Sequence, residues 1–184
     1  MPRTLAAVLA GSGVAVAGSV MQMSMHNRFV SPTTAGTSQF ALVGLLAVAL
    51  LAPATSVMGK MLVASACAVA GLGEDAATGL GLSYRLVVDL AVAAAAVMTA
   101  VSVVVVGTLP FLGLVVPNAA SRICGDNLRR ALPVVAAGGA LLTVVCDVVG
   151  RLVHYPYEIS VTVIMGVVGA GAFIVIILRG VDRA

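Results

Sequence analysis

Charge is scarce in this chain. Only 9% of its 184 residues are Asp, Glu, Lys or Arg, and tryptophan is absent. By contrast, 61% of the residues are hydrophobic and the mean hydropathy is +1.16. A soluble domain of this length does not need so much apolar surface. The composition therefore excludes an ordinary soluble domain and predicts an integral membrane protein.

The sequence also lacks the motifs of enzymes and metal proteins. It contains no HExxH or GxSxG sequence, and His26 and His154 fall on opposite predicted sides of the membrane. Cys67, Cys124 and Cys146 have no CxxC spacing, so neither a disulfide framework nor a zinc site is predicted. The net charge of +3 is too small and scattered for a nucleic-acid partner. We expect no catalytic residue, no cofactor and no resident metal.

Long apolar runs, joined by short polar loops, make up most of the chain. Since a helix rises about 1.5 Å per residue, roughly 20 residues cross the hydrocarbon core of a bilayer. The runs are too long and continuous for barrel strands, so the prediction is an all-α, polytopic membrane protein with about seven transmembrane helices. The runs are Leu5–Met25, Gly36–Ala52, Val57–Leu72, Leu86–Val106, the short Gly107–Ser121, Ala131–Val153 and Ile159–Leu178.

The first run admits a second interpretation. Arg3 ahead of an apolar, small-residue stretch also resembles a secretory signal peptide. The apolar character continues past any cleavage point as far as Met23, which favours a membrane span.

Proline breaks the pattern in two places. In the polar hairpin 26–36, Pro32 stops helix continuation, and Thr33 or Thr34 can cap the next helix. Two further prolines interrupt Gly107–Ser121. Interrupted helices are tolerated in lipid only where protein or water covers the freed backbone groups. We therefore expect this second segment to lie in the interior or beside a pathway.

The stretch Gly71–Arg85 carries the only adjacent acidic pair, Glu74 and Asp75. Its spacing predicts a short helix that ends at Gly79 and Gly81, with Ser83 able to cap the following helix. A short helix of small residues at a membrane surface is a shape that another protein can bind. A solvated loop between two spans accounts for the same residues.

Asp147 and Arg151 lie one helical turn apart within an apolar run. Because charge inside a membrane is expensive, the two side chains are predicted to form a structural ion pair. An ion relay is the functional alternative.

The arginines predict the orientation of the spans. One side of the seven-span arrangement carries seven cationic residues and the other carries Arg3, Lys60 and Arg151. By the positive-inside rule, the first side faces the cytoplasm. That side holds Arg28, Arg85, Arg122, Arg129, Arg130, Arg179 and Arg183.

Several stretches resemble the permease subunits of bacterial ABC importers for iron–siderophore complexes and vitamin B12, the FecCD or BtuC-like family. Four sequence segments are most similar to the ferric-siderophore branch, particularly catecholate-type importers: NRFVSPTTAGT, GLVVPN, GDNLRR and YPYEI. The similar stretches are PRTLAAVLAGSGVAVAGSVMQ at 2–22, NRFVSPTTAGTS at 27–38, LGEDAATGLGLSYR at 72–85, VGTLPFLGLVVPNAASRICGDNLRRALP at 106–133 and CDVVGRLVHYPYEISVTVIMGVVGAGAFIVIILRG at 146–180.

The resemblance implies a multi-pass protein of the bacterial cytoplasmic membrane, without enzymatic activity of its own. Its implied partners are membrane lipid, a cytoplasmic ATPase, a second permease subunit in a homodimer or heterodimer, and an extracytoplasmic siderophore-binding protein. Docking of that binding protein would fall to Arg3, Lys60, Arg151 and Glu158. The resemblance assigns ATPase coupling to Gly73, Glu74, Asp75, Ala76, Ala77, Thr78, Gly79, Leu80 and Gly81.

The chain departs from the family pattern in two respects. Residues 1–71 resemble family spans two to four, and residues 72–184 resemble the coupling helix and the last four spans of a single permease domain. The chain thus begins at what resembles the second span, and two spans are missing between Gly71 and Gly73. One of them lines the family's translocation path. A degenerate, non-transporting permease or assembly partner is therefore the alternative hypothesis.

Overall fold

The computed structural model describes residues 2–70, 83–125, 128–153 and 159–181. Within these ranges the regular structure is entirely helical, which confirms the all-α prediction. The helices are α1 (Pro2–Ser24), α2 (Thr37–Leu51), α3 (Val57–Ala70), α4 (Ser83–Val105), α5 (Leu112–Cys124), α6 (Leu128–Leu152) and α7 (Val161–Val181).

The first helix is the centre of the bundle and packs against α4, α5 and α6. It runs antiparallel to α6, because Arg3 lies beside Asp147 and Gly11 lies beside Gly139. A methyl group on Gly11 would lie 2.6 Å from the Gly139 carbonyl oxygen. Small residues thus let the two backbones approach closely, which is how helices associate in lipid.

The hairpin of α2 and α3 packs on α4 through alanines. Ala41, Ala64, Ala68, Ala96 and Ala100 are all fully buried in one cluster with Val103. The start of α2 differs from the prediction, because neither Thr33 nor Thr34 caps it. Instead Gly36 occupies the N-cap position with φ of 83°, a left-handed conformation that glycine adopts at little cost.

The connection between α4 and α5 re-enters the bundle. From the end of α4, residues 106–111 pass along α7, where Thr162 Oγ1 donates a hydrogen bond to the Thr108 carbonyl over 2.8 Å. Phe111 then stacks on Phe173, with ring centroids 5.9 Å apart. Helix α5 begins beside Val14 and Gly18, near the middle of α1. Non-helical backbone thus lies deep in the bundle with protein around it, as the broken sequence predicts.

The residues between the apolar runs Gly107–Ser121 and Ala131–Val153 are mostly helical where the structure describes them. Helix α5 continues through Arg122 to Cys124, and α6 already begins at Leu128. Two described helices, Arg3–Ser24 and Arg130–Leu152, are both long and apolar enough to cross a membrane. Shorter apolar helical stretches are Thr37–Leu51, Val57–Ala68, Val92–Val105, Leu112–Cys124 and Val161–Ile176.

Candidate functional site

The predicted coupling residues, Gly73 to Gly81, lie outside the described residues. The helices on either side of them are described and pack against each other. Helix α3 ends at Ala70 and α4 begins at Ser83. Residues 71–82 therefore join two neighbouring helices of the bundle.

A charged cluster occupies the end of the bundle where α1 begins and α6 ends. Asp147 is the centre of it, with only 5% of its side chain exposed. Arg151 Nη2 lies 2.5 Å from Asp147 Oδ2, and Arg3 Nε lies 3.5 Å from Oδ1. The carboxylate therefore holds two guanidinium groups, one on its own helix and one on α1. Arg3 and Asp147 of this cluster also line a cleft of about 290 Å³, together with Ser160 and apolar residues of α1, α4 and α7.

The structure brings together two of the four residues proposed for binding-protein docking. Arg3 and Arg151 share Asp147, and both are partly exposed. Lys60 lies on α3, which packs against α2 and α4, so it belongs to a different part of the bundle. Glu158 lies outside the described residues. Sequence spacing predicts the Asp147–Arg151 pair but carries no signal for Arg3, which is distant in sequence.

At the opposite end of the bundle, the hairpin after α1 is held by its own hydroxyl groups. The Ser31 backbone N–H donates to Thr34 Oγ1 over 2.8 Å, and Thr37 Oγ1 donates to the Pro32 carbonyl over 2.6 Å. Ser31 and Thr37 are completely buried. These hydroxyl groups are therefore structural, and they fix the path of the hairpin against the first turn of α5.

Sequence reasoning did not identify the polar residues that join this hairpin to α5. Asn118 Nδ2 donates to two carbonyl oxygens, those of Leu114 and Arg28, each over 2.8 Å. Pro117 cannot donate the helical bond to the Gly113 carbonyl. Gln22 Nε2 donates to that carbonyl instead, over 3.3 Å. The one available signal was an asparagine that follows a proline inside an apolar run.

We expect Asn118→Asp to destabilise the protein by about 2 kcal/mol, because a carboxylate oxygen would face two carbonyl oxygens in a buried position. The free energy of unfolding in mixed micelles measures the effect. Asn27→Asp is the matched control, since exposed Asn27 accepts a hydrogen bond from the Phe29 N–H through its side-chain oxygen. Equal stability of the two variants would show that the Asn118 amide is not structural.

The described residues contain no group of three or more His, Cys, Asp or Glu side chains that could hold a metal ion. Cys67, Cys124 and Cys146 are free thiols on three different helices. Cys146 is buried in the core cluster with Val14 and Met165.

The model of the FecCD transport family matches this chain in two stretches, residues 1–72 and 61–179. The two stretches overlap at residues 61–72. This overlap adjoins the point between Gly71 and Gly73 where two family spans are predicted to be missing. Together they account for nearly the whole chain.

Curated relatives align over almost the full length of the chain. The petrobactin import system permease protein YclN of Bacillus subtilis (strain 168) is 28% identical over 266 aligned positions, which cover 97% of this chain and 84% of the relative. The petrobactin import system permease protein FatD of Bacillus anthracis is 30% identical, with 97% and 80% covered. Since this chain has only 184 residues, part of each relative's aligned region has no counterpart here. The unmatched part is in total several times the roughly 20 residues that one span requires.

A solved structure shares the fold. It is an inward-facing conformation of a metal-chelate type ABC transporter, with a TM-score of 0.82 and 17% sequence identity. The superposition covers 97% of this chain and 86% of the solved chain. The helices described above therefore share the fold of that solved chain.

Proposed function

The chain belongs to the FecCD transport family, and on that premise we propose that it is the membrane-spanning permease subunit of an ABC importer for iron–siderophore complexes. The observation that carries the proposal is the family match over two ordered stretches, residues 1–72 and 61–179. The family is one of transport permeases, so no chemical reaction is assigned to the chain itself. The proposed cargo class follows the names of the relatives, two of which are petrobactin import permeases.

The proposed partners are the other subunits that such an importer requires. A separate cytoplasmic ATPase would hydrolyse ATP and bind the coupling stretch between Gly73 and Gly81. A second permease subunit would complete the transport path in the bacterial cytoplasmic membrane, and an extracytoplasmic binding protein would deliver the chelated iron. Closure of the ATPase dimer would move the coupling stretch and rock the spans between outward-open and inward-open states.

The charged cluster supports a role in binding-protein docking. Arg3 and Arg151 are both partly exposed at one end of the bundle, where each also contacts Asp147. Exposed guanidinium groups suit carboxylates on a docking protein. Lys60 would contribute from a separate position, and so would Glu158, which precedes α7 in the sequence.

The alternative of a non-transporting remnant is less well supported. Loss of two spans from a degenerate protein would be expected to leave a poorly packed bundle. Instead, α3 and α4 pack through fully buried alanines on either side of the junction. We propose that residues 1–71 and 72–184 correspond to family spans two to four and to the coupling helix with the last four spans.

The double variant Glu74→Arg and Gly79→Arg should lose co-purification with the ATPase subunit of the same system, because two bulky cations would replace an acidic and a small residue. Ala54→Arg is the control, since Ala54 is exposed in the turn between α2 and α3, on the opposite predicted side. ATPase binding that survives in the double variant would contradict the coupling assignment.

Transport itself is tested by iron uptake in a permease-deficient strain. We expect the wild-type chain to restore growth on a ferric siderophore as the sole iron source, and the double variant to fail. If the wild-type chain inserts stably and binds the ATPase but does not restore uptake, the remnant hypothesis is correct.

A further inference from the structure

The α2–α3 hairpin, residues 37–70, is attached to the rest of the bundle along one surface. Helices α2 and α3 pack on each other and on α4, whereas α1, α5, α6 and α7 pack among themselves. Helix α4 also packs on α1, so among the described helices it alone makes extensive contacts with both groups. The α2–α3 hairpin can therefore change its position against the other helices through a single interface.

The interface between the α2–α3 hairpin and α4 is smooth and apolar. Ala41, Ala64 and Ala68 of the α2–α3 hairpin are fully buried in one cluster with Ala96 and Ala100 of α4. Among the side chains that the structure describes, no hydrogen bond or ion pair crosses from α2 or α3 to α4. Methyl groups interdigitate far less than long side chains do, so they oppose the sliding of two packed helices only weakly.

The interfaces among the other helices are held by polar groups and by larger side chains. Arg3 of α1 contacts Asp147 of α6, and Gln22 of α1 donates to the Gly113 carbonyl of α5. The buried side chain of Met21 packs α1 against α4 in a separate apolar cluster. Helix α4 is therefore fixed to the group of α1, α5 and α6, and the α2–α3 hairpin is the part that can slide.

The two helices of the α2–α3 hairpin are in close contact with each other. A methyl group on Gly44 of α2 would lie 2.8 Å from the sulfur of Cys67 and 3.2 Å from the Val63 carbonyl oxygen, both on α3. Such a close approach keeps two helices together in a membrane. The outer surface of the α2–α3 hairpin is apolar, with Leu46 and Leu62 exposed by 59% and 65%. Fluid acyl chains against this surface would not hold it in one position.

A pivot is present where α2 leaves the turn that follows α1. This turn is anchored to α5, because Asn118 donates to the Arg28 carbonyl. The backbone N–H and the hydroxyl of Thr37 both donate to the Pro32 carbonyl, so the base of α2 stays with the anchored turn. Between them Gly36 has φ of 83°, and a methyl group there would meet no atom closer than 4.0 Å. Glycine changes its backbone dihedral angles at little cost, which suits a hinge.

We propose that the α2–α3 hairpin is a lever that slides as one piece on the alanine surface of α4 and tilts about Gly36. Its far end is the turn between the two helices, residues 52–56. Helix α3, with 14 residues, is about 20 Å long. It carries Lys60, one of the proposed docking residues, near that far end.

The other end of α3 is followed directly by residues 71–82, which contain the coupling stretch. A displacement of that stretch would therefore reach the opposite surface of the protein along a single helix. This transmission rests on the proposed function, whereas the sliding of the α2–α3 hairpin does not.

The test measures distances between spin labels by double electron–electron resonance, using the full chain in nanodiscs. The three native cysteines are replaced by alanine, and pairs of cysteines are introduced at exposed positions for labelling. Met58 on α3 and Ile123 on α5 form the test pair, because they are 67% and 79% exposed and belong to the two different groups. The first control pair, Leu5 and Ile123, lies within the group of α1 and α5. The second, Phe40 and Met58, lies within the α2–α3 hairpin.

In the chain alone we expect the distance distribution of the test pair to be roughly twice as wide as that of either control pair. In the complex with the ATPase subunit and ATP, the mean distance of the test pair should change by about 3 Å or more. Both control pairs should change by less than about 1 Å, since each lies within one rigid group.

Three results would overturn the proposal. Equal widths for all three pairs in the chain alone would show that the α2–α3 hairpin does not slide, whether or not the ATPase binds. A test pair whose mean distance is the same with and without the bound ATPase and ATP would exclude transmission through the α2–α3 hairpin. A change between Phe40 and Met58 as large as that of the test pair would show that α2 and α3 do not move as one piece. Failure of the ATPase to bind would contradict the proposed function instead, and the comparison of widths in the chain alone would still decide whether the α2–α3 hairpin slides.

Discussion

Gly18→Ala is expected to prevent α1 and α5 from packing, at a cost of about 4 kcal/mol or more, which is exceptional for one methyl group. The added carbon would lie 2.6 Å from both the carbonyl carbon and the Cα of Gly113, and closer still to the Gly113 oxygen. All three are backbone atoms, so relief requires movement of a whole helix. That movement would also break the hydrogen bond from Gln22 to the Gly113 carbonyl.

Gly171→Ala provides the matched control, because a methyl group at this position in α7 would meet nothing within 4 Å. Helix propensity alone should then make the control about 0.5 to 1 kcal/mol more stable than the wild type. The free energy of unfolding in mixed micelles and the monodisperse fraction in gel filtration measure both variants. Equal behaviour of the two would mean that α1 and α5 are not in backbone contact.

Asp147→Asn should destabilise the protein by about 3 kcal/mol, because it removes the buried negative charge that binds the guanidinium groups of Arg3 and Arg151. This value is at the lower end for broken buried ion pairs. Arg3 and Arg151 are 54% and 39% exposed and can turn toward water, which reduces the loss.

The triple variant Arg3→Met, Asp147→Leu and Arg151→Met separates structure from transport. Replacing a whole buried charge cluster by apolar residues is often neutral, so its stability should return to within about 1 kcal/mol of the wild type. Iron uptake that persists in a stable triple variant would exclude an ion relay through Asp147. An Asp147→Asn protein as stable as the wild type would show that the cluster contributes nothing to the fold.

The sequence predicts the helices well where glycine and proline mark their ends. Helix α2 ends at Leu51, two residues before Pro53, and α3 begins at the predicted Val57. The prediction was less accurate where local signals compete. Helix α5 runs past Ser121 to Cys124, since an arginine and an isoleucine continue a helix that Pro117 does not end. The carbonyl that Pro117 leaves free is bound by Gln22, a contact that no local pattern contains.

The site residues show the same contrast between local sequence patterns and contacts that depend on packing. The pair of Asp147 and Arg151 follows from a four-residue spacing on one helix, whereas the contact with Arg3 depends on how α1 and α6 pack. The cavity lined by Gln22, Pro117 and Val135 was not predicted, because its residues come from three separate stretches that only the folded bundle brings together. The coupling stretch from Gly73 to Gly81 was identified by its similarity to a family motif, and it remains a prediction.

The re-entrant connection before α5 has a consequence for biogenesis. A helix of 13 residues that begins halfway along α1 is too short to partition into the bilayer as an independent span. Its preceding backbone is covered by Thr162 and Phe173 of α7, which is synthesised last of the seven helices. Until α7 has left the ribosome and entered the membrane, residues 106–111 cannot acquire these contacts. Assembly of this half of the protein is therefore completed only after translation of α7, and a chain stalled before Val161 would expose that backbone to lipid or to membrane quality control.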